Sequence, residues 1–122
     1  MGWAGALGDV LTLSGDTTQY VYHYTTAAGY AGISASGMIL PSADGYTYVT
    51  PNVYSSGQQA QSSLALRQAP IGYFAVPVSN IPPSALPPSV VEPYYGQPGG
   101  GIEIKVPSPV STDGGYWQEI GK

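Results

Sequence analysis

The chain has 122 residues, no cysteine, a single histidine, and three basic residues against seven acidic ones. That length supports one domain with a core of its own, while the missing cysteines exclude disulfides and thiolate metal sites and the lone histidine argues against zinc. Three scattered cations argue against broad binding to a phosphate backbone, and no apolar run reaches the ~18 residues of a membrane-spanning helix. Nucleic acid stays open as a chemical target held at a small patch.

Residues 1–18 carry no clean period and are read as a leader or linker, with at most a helical turn at Asp9–Leu13. The opening is mildly apolar but lacks the basic stretch of a signal peptide. Met1 is compatible with a start imposed on a segment of a longer chain. Residues 19–122 are expected to form one domain. Tyr20 to Tyr24 alternate in a way that suits a strand, and this strand carries His23. Thr25 or Thr26 can cap a helix over Ala27–Ser36, with Tyr30, Ile33 and Ala31 facing inward. Gly37 stops that helix. Met38 to Leu40 form a short strand ended by Pro41, Ser42 to Gly45 a turn, and Tyr46 to Thr50 the next strand. A polar helix is expected over Val53–Arg67, with Gly57 as its weak point.

The run Ile71 to Val78 is the richest in strand formers, and Pro77 puts its end at an edge or bulge. Asn80 to Pro98 holds six prolines and reads as a long ordered loop. Three glycines then lead into a strand over Ile102–Val106, broken by Pro107 and Pro109. After a turn at Asp113 to Gly115, Tyr116 to Ile120 form a last short strand. Seventeen Gly, twelve Pro and eleven Tyr fit short strands joined by turns. The pattern is α+β with antiparallel sheets and two short helices.

Three motifs in this order resemble a known family. They are Tyr22-His23-Tyr24-Thr25 with Gly29-Tyr30-Ala31-Gly32-Ile33, then Gly45 and Tyr48, then Gly96 to Glu103. The resemblance is to the His-Tyr-Glu branch of the ADP-ribosyltransferases, which includes the poly-ADP-ribose polymerases. It is closer to small His-Tyr-Asp-type domains at the C-terminal ends of bacterial Rhs-like polymorphic toxins. The run from Gly96 to Gly101 also resembles part of a mycobacterial NAD-degrading toxin. The likeness spans roughly residues 20–106.

The resemblance implies a split antiparallel sheet core that binds NAD in a cleft between two small sheets. Glu103 would stabilise the oxocarbenium-like state formed when the nicotinamide–ribose bond breaks. His23 would bond a ribose hydroxyl, the Tyr24 backbone the carboxamide, and Tyr48 would stack on the nicotinamide ring. Ser55 or Ser56 could also bond the carboxamide. The three glycines would let the backbone approach the ligand. Arg67, the lone arginine, is a candidate for the pyrophosphate. No metal is implied. The family further implies a secreted effector that acts in the target-cell cytoplasm, transfers ADP-ribose to a macromolecular acceptor, and is silenced by a cognate immunity protein.

Each residue also has a plainer role. A histidine on a strand is often structural. Glu103 alternates with Ile102 and Ile104 as in any amphipathic strand. Tyr46 shares a face with Tyr48, Glu92 and Glu119 are rival carboxylates, and Arg67 suits a solvated helix end. Two other functions follow from the same sequence: NAD hydrolysis in the same pocket, and a non-enzymatic β domain that binds carbohydrate or a partner protein.

Overall fold

The computed structural model describes residues 18–122. The expected turn at Asp9–Leu13 and nearly all of the leader lie outside the described residues. The elements are β1 (Tyr20–Thr25), α1 (Ala27–Ser36), β2 (Met38–Ile39), β3 (Thr47–Val49), α2 (Gly57–Leu64), β4 (Gly72–Pro77), β5 (Ser89–Val90), β6 (Ile102–Val106), β7 (Val110–Ser111) and β8 (Tyr116–Glu119). This is an α+β architecture with antiparallel sheets. No helix among the described residues is long and apolar enough to cross a membrane.

One sheet has the order β1-β4-β8 and a second the order β3-β6-β5. A single bridge, Tyr22 to Thr50, joins them: each residue donates its N–H to the other's carbonyl, at 2.8 and 2.9 Å. Beyond this bridge β1 and β3 part, which splits the sheet at one point. β2 and β7 form a separate two-stranded sheet, which places Ile39 and Val110 in the same core.

β4 explains why the sheet is covered on both faces. All six of its residues are buried, as expected for a strand whose apolar run does not alternate. Phe74 and Val76 point to one side, where they pack with Val21, Ile33, Val49, Ile104 and Val106. Tyr73 and Ala75 point to the other, against Tyr24 and Ala60 of α2. Pro77 sits at the end of a central strand. Its missing N–H faces the β8 side, where pairing has already stopped at Ala75 opposite Tyr116, so no ladder bond is lost.

Helix α1 has the expected bounds. Thr26 caps it by accepting from the Gly29 N–H at 3.3 Å, and Gly37 ends it in the left-handed region at φ 71. Ile33 is buried and the Tyr30 ring stacks on Phe74, but Ala31 is exposed, so the inner face is narrower than expected. The polar helix is shorter than the expected Val53–Arg67. Ser56 caps it and Ala65 ends it in the left-handed region at φ 51, so Gly57 is its first residue rather than a flaw in its middle. The expected long loop of 80–98 is also broken up. It contains β5, paired with β6, and a tight hairpin in which Tyr94 and Gln97 exchange backbone bonds at 2.8 and 3.1 Å. Ile120 falls just outside β8.

The glycine run has a structural role that the sequence reading missed. Gly99 and Gly101 donate their N–H groups to the carbonyls of Ser62 and Ser63, both at 2.9 Å. These are open carbonyls of the last turn of α2, so the run fastens the helix end to the start of β6. A Cβ on Gly101 would lie 2.4 Å from the Tyr54 hydroxyl oxygen and 2.9 Å from the Ser63 carbonyl oxygen. At Gly101 the close approach is to the protein itself. Gly101→Ala is therefore expected to destabilise the domain by about 1–3 kcal/mol, an overpacking cost. Urea unfolding of the two proteins measures it.

Candidate active site

β1 brings three backbone and side-chain features to the split. Because Tyr22 turns its N–H and C=O toward Thr50, strand alternation turns those of Tyr24 the same way. β3 has diverged by then, and neither group of Tyr24 finds a backbone partner on that edge among the described residues. The Tyr24 side chain packs beneath α2, and its hydroxyl oxygen accepts the Tyr54 N–H at 2.7 Å. Burial pushes this phenol up to about 12, despite the opposing bond from Tyr54.

His23 leaves β1 on the opposite face and reaches across the split. Its Nδ1 lies 2.8 Å from the Tyr48 carbonyl oxygen. A carbonyl can only accept, so Nδ1 carries the hydrogen and Nε2 is left as an acceptor in the neutral ring. His23 keeps some solvent contact, yet protein atoms crowd the imidazole, and this burial lowers its pKa from 6.5 against the raising effect of the Tyr48 carbonyl. The sign of the stability effect follows. Below pH 6.5 the unfolded chain gains this proton before the folded chain does, so stability falls with pH until the folded value is reached. The loss of stability between pH 7 and 5 is expected to shrink in His23→Gln, which removes this titration. Urea midpoints at both pH values, compared between the two proteins, test it.

β3 and β6 supply the floor. Tyr48 stands opposite Lys105, and Glu103 lies one step further along β6. Ile104 and Val106 of the same strand are buried inward, so Glu103 and Lys105 face outward with Tyr48. The Tyr48 hydroxyl donates to Asp44 Oδ2. Burial, then the bond and charge of Asp44, raise the Tyr48 phenol well above its ordinary value. That same bond holds the Asp44 carboxyl low. Glu103 is pushed up by burial, with Lys105 opposing and Glu92 and Asp44 adding repulsion.

These residues line neighbouring cavities that have lining residues in common. A narrow central cavity of about 80 Å³ is lined by Tyr22, His23, Tyr24, Tyr48, Leu64 and Glu103, among others. On the side of Tyr48 and Glu103, which line both, lies a cavity of about 590 Å³. Asp44, Glu92, Tyr94, Tyr95 and Lys105 line that side. On the side of His23 and Tyr24, which line both, lies a cavity of about 410 Å³ bordered by Arg67. The wide sections match the size of small-molecule sites. Among the described residues no cluster of His, Asp and Glu converges as a metal site.

His23, Tyr24, Tyr48 and Glu103, from three strands, thus line one cavity, and Arg67 borders a neighbouring one. Ser55 and Ser56 do not. The Ser56 hydroxyl is used as the cap of α2 and Ser55 bonds the Gln59 side chain at 2.8 Å, and neither lines the cleft. Of the rival carboxylates, Glu92 lines the outer section, whereas Glu119 lies in β8 away from it. Tyr46 lies edge-on to Tyr48 at 6.5 Å without lining the cleft. Asp44 and Lys105 were missed. The only signal for Asp44 was its place in the turn four residues before Tyr48, and for Lys105 its alternation with Glu103. Compared with protein-family models, with curated proteins and with solved structures, the chain finds no match in any of the three.

Proposed function

We propose that this domain is an NAD-dependent mono-ADP-ribosyltransferase of the toxin type, built on a split ADP-ribosyltransferase-like sheet. The observation that carries the reading is the convergence of His23, Tyr48 and Glu103 on one narrow cavity at the point where the two sheets part. The N–H and C=O of Tyr24, which find no backbone partner on that edge among the described residues, suit a primary carboxamide, which needs one acceptor and one donor. The Tyr48 face offers a stacking surface for the nicotinamide ring. Nε2 of neutral His23 can accept a ribose hydroxyl. When the nicotinamide–ribose bond breaks, the bonding electrons leave with nicotinamide and the ribose carbon becomes cationic. Glu103 offers negative charge to that centre, and nucleophilic attack by an acceptor completes the transfer. Arg67 is the one guanidinium along the cleft and would meet the pyrophosphate.

Water as acceptor would turn the same site into an NAD glycohydrolase. Nicotinamide release from NAD by the purified domain, with and without bacterial lysate, separates the outcomes. Release that depends on lysate, with ADP-ribose appearing on a macromolecule, supports the transferase. Fast release without lysate and without labelling replaces it with the hydrolase. No release by folded protein overturns the NAD reading and leaves a binding domain. As a toxin domain it would act in the cytoplasm of a target cell after secretion, with an immunity protein as partner in the producing cell.

A further inference from the structure

Asp44 is exposed, yet both of its carboxylate oxygens are engaged. Oδ2 accepts the Tyr48 hydroxyl and Oδ1 accepts the Tyr46 N–H at 3.0 Å. The turn that carries Asp44 is itself closed, since Gly45 donates to the Ser42 carbonyl and Ser42 to the Tyr46 carbonyl, both at 2.9 Å. Gly45 takes φ 89, a conformation that suits glycine. The carboxylate is thus delivered by a fixed turn and not by a loose tether.

Tyr48 is consequently held at two points. His23 takes hold of its backbone carbonyl at 2.8 Å, and Asp44 of its hydroxyl. A phenol has one O–H, and here that hydrogen goes to Asp44. Tyr48 therefore offers a ligand its ring face and not a proton. Asp44 is exposed and outside the core, and among the described residues its side chain bonds only to Tyr46 and Tyr48.

We propose that Asp44 is a positioning residue. Its carboxylate pins the Tyr48 hydroxyl and so fixes the plane of the ring on which the nicotinamide end of NAD stacks. The proposal rests on the NAD reading and extends it to a residue that the family resemblance did not bring forward. The turn between β2 and β3 becomes a brace for the site, and Tyr48 becomes a braced platform without acid–base work. Phenylalanine at position 48 should still stack, but unbraced.

The test is a double-mutant cycle on nicotinamide release with Asp44→Ala, Tyr48→Phe and the double variant. Each single change is expected to raise KM for NAD on the order of tenfold, with kcat changed much less, because a displaced platform weakens binding of the ring. The double variant is expected to be no worse than the weaker single one. Asp44→Asn, which can still accept from the phenol, should recover part of the loss. Independent effects that multiply in the double variant would overturn the proposal, as would a fall in kcat alone. Wild-type activity with an unchanged Asp44→Ala variant overturns it while leaving the NAD reading intact. A wild-type domain that releases no nicotinamide overturns both. Tyrosine-ring carbon NMR gives a readout free of NAD. The Tyr48 phenol should titrate at lower pH in Asp44→Ala, and an unmoved titration would mean that the brace does not exist in solution.

Discussion

Glu103→Gln is expected to cut nicotinamide release from NAD by about a hundredfold to a thousandfold, the usual loss when one preorganised electrostatic group is removed from a reacting centre. The amide keeps the shape of the side chain but cannot supply the negative charge that the cationic ribose needs. Folding should survive, because Glu103 stands on the outer face of β6 while Ile104 and Val106 carry the core contacts. Stability at neutral pH should even rise slightly. The Glu103 pKa is raised in the folded state, by burial first and then by Glu92 and Asp44, with Lys105 opposing. A carboxylic acid with a raised folded value is best tolerated at low pH, and its cost appears as pH climbs from 4.5 through the folded value. The uncharged amide removes that cost. A melting temperature at or above wild type, with activity gone, would mark Glu103 as a group kept for chemistry at the expense of stability. Retained release within a few-fold would move attention to Glu92, the second glutamate of the outer cavity.

His23→Ala should weaken NAD binding by about tenfold to a hundredfold and destabilise the fold by about 1–3 kcal/mol. Both effects come from one side chain with two bonding positions. Nδ1–H satisfies the Tyr48 carbonyl at 2.8 Å, and its removal strands that acceptor next to the split. Nε2 is the group left for a ribose hydroxyl. His23→Asn is the informative companion, since its amide can donate toward Tyr48 if the shorter side chain reaches, but it lacks an imidazole at the ribose. Calorimetric titration with NAD, beside urea unfolding, separates the two losses. A domain that binds carbohydrate or a partner through its exposed tyrosines would keep that binding in His23→Ala, and unchanged NAD affinity would sink the proposed role of His23.

Some of the site was legible because it depends on local pattern. His23 could be placed on a strand from the alternation of Tyr20 to Tyr24, and Glu103 from the strand signal of Ile102 to Val106. α1 was legible to the residue because Thr26 and Gly37 are strong start and stop signals. α2 was overextended because Ala65, Leu66 and Arg67, good helix formers, follow its last residue. Ser56 and Ala65 stop it by cap geometry and a left-handed turn, and an alanine gives little warning of the latter. Ser55 and Ser56 were assigned to the ligand from their place before this helix, whereas capping claims the Ser56 hydroxyl.

What the sequence determined by itself is the set of elements and the chemistry they carry: a strand from the unbroken apolar run of β4, a helix bounded by Thr26 and Gly37, a second helix without its limits, and no disulfide because there is no cysteine. What only the tertiary structure decided is which groups meet. The single Tyr22–Thr50 bridge makes the sheet part just where His23, Tyr24, Tyr48 and Glu103 lie, and no local signal encodes a pairing between residues 28 positions apart. The glycine run reads as a lead-in to β6 until the carbonyls at the end of α2 are seen to take the N–H groups of Gly99 and Gly101. Asp44 reads as a turn residue until the Tyr48 hydroxyl is found on it. The physical reason is common to all three. Local sequence fixes backbone conformation, while a hydrogen-bond partner is chosen by whichever distant group the packed core delivers within reach.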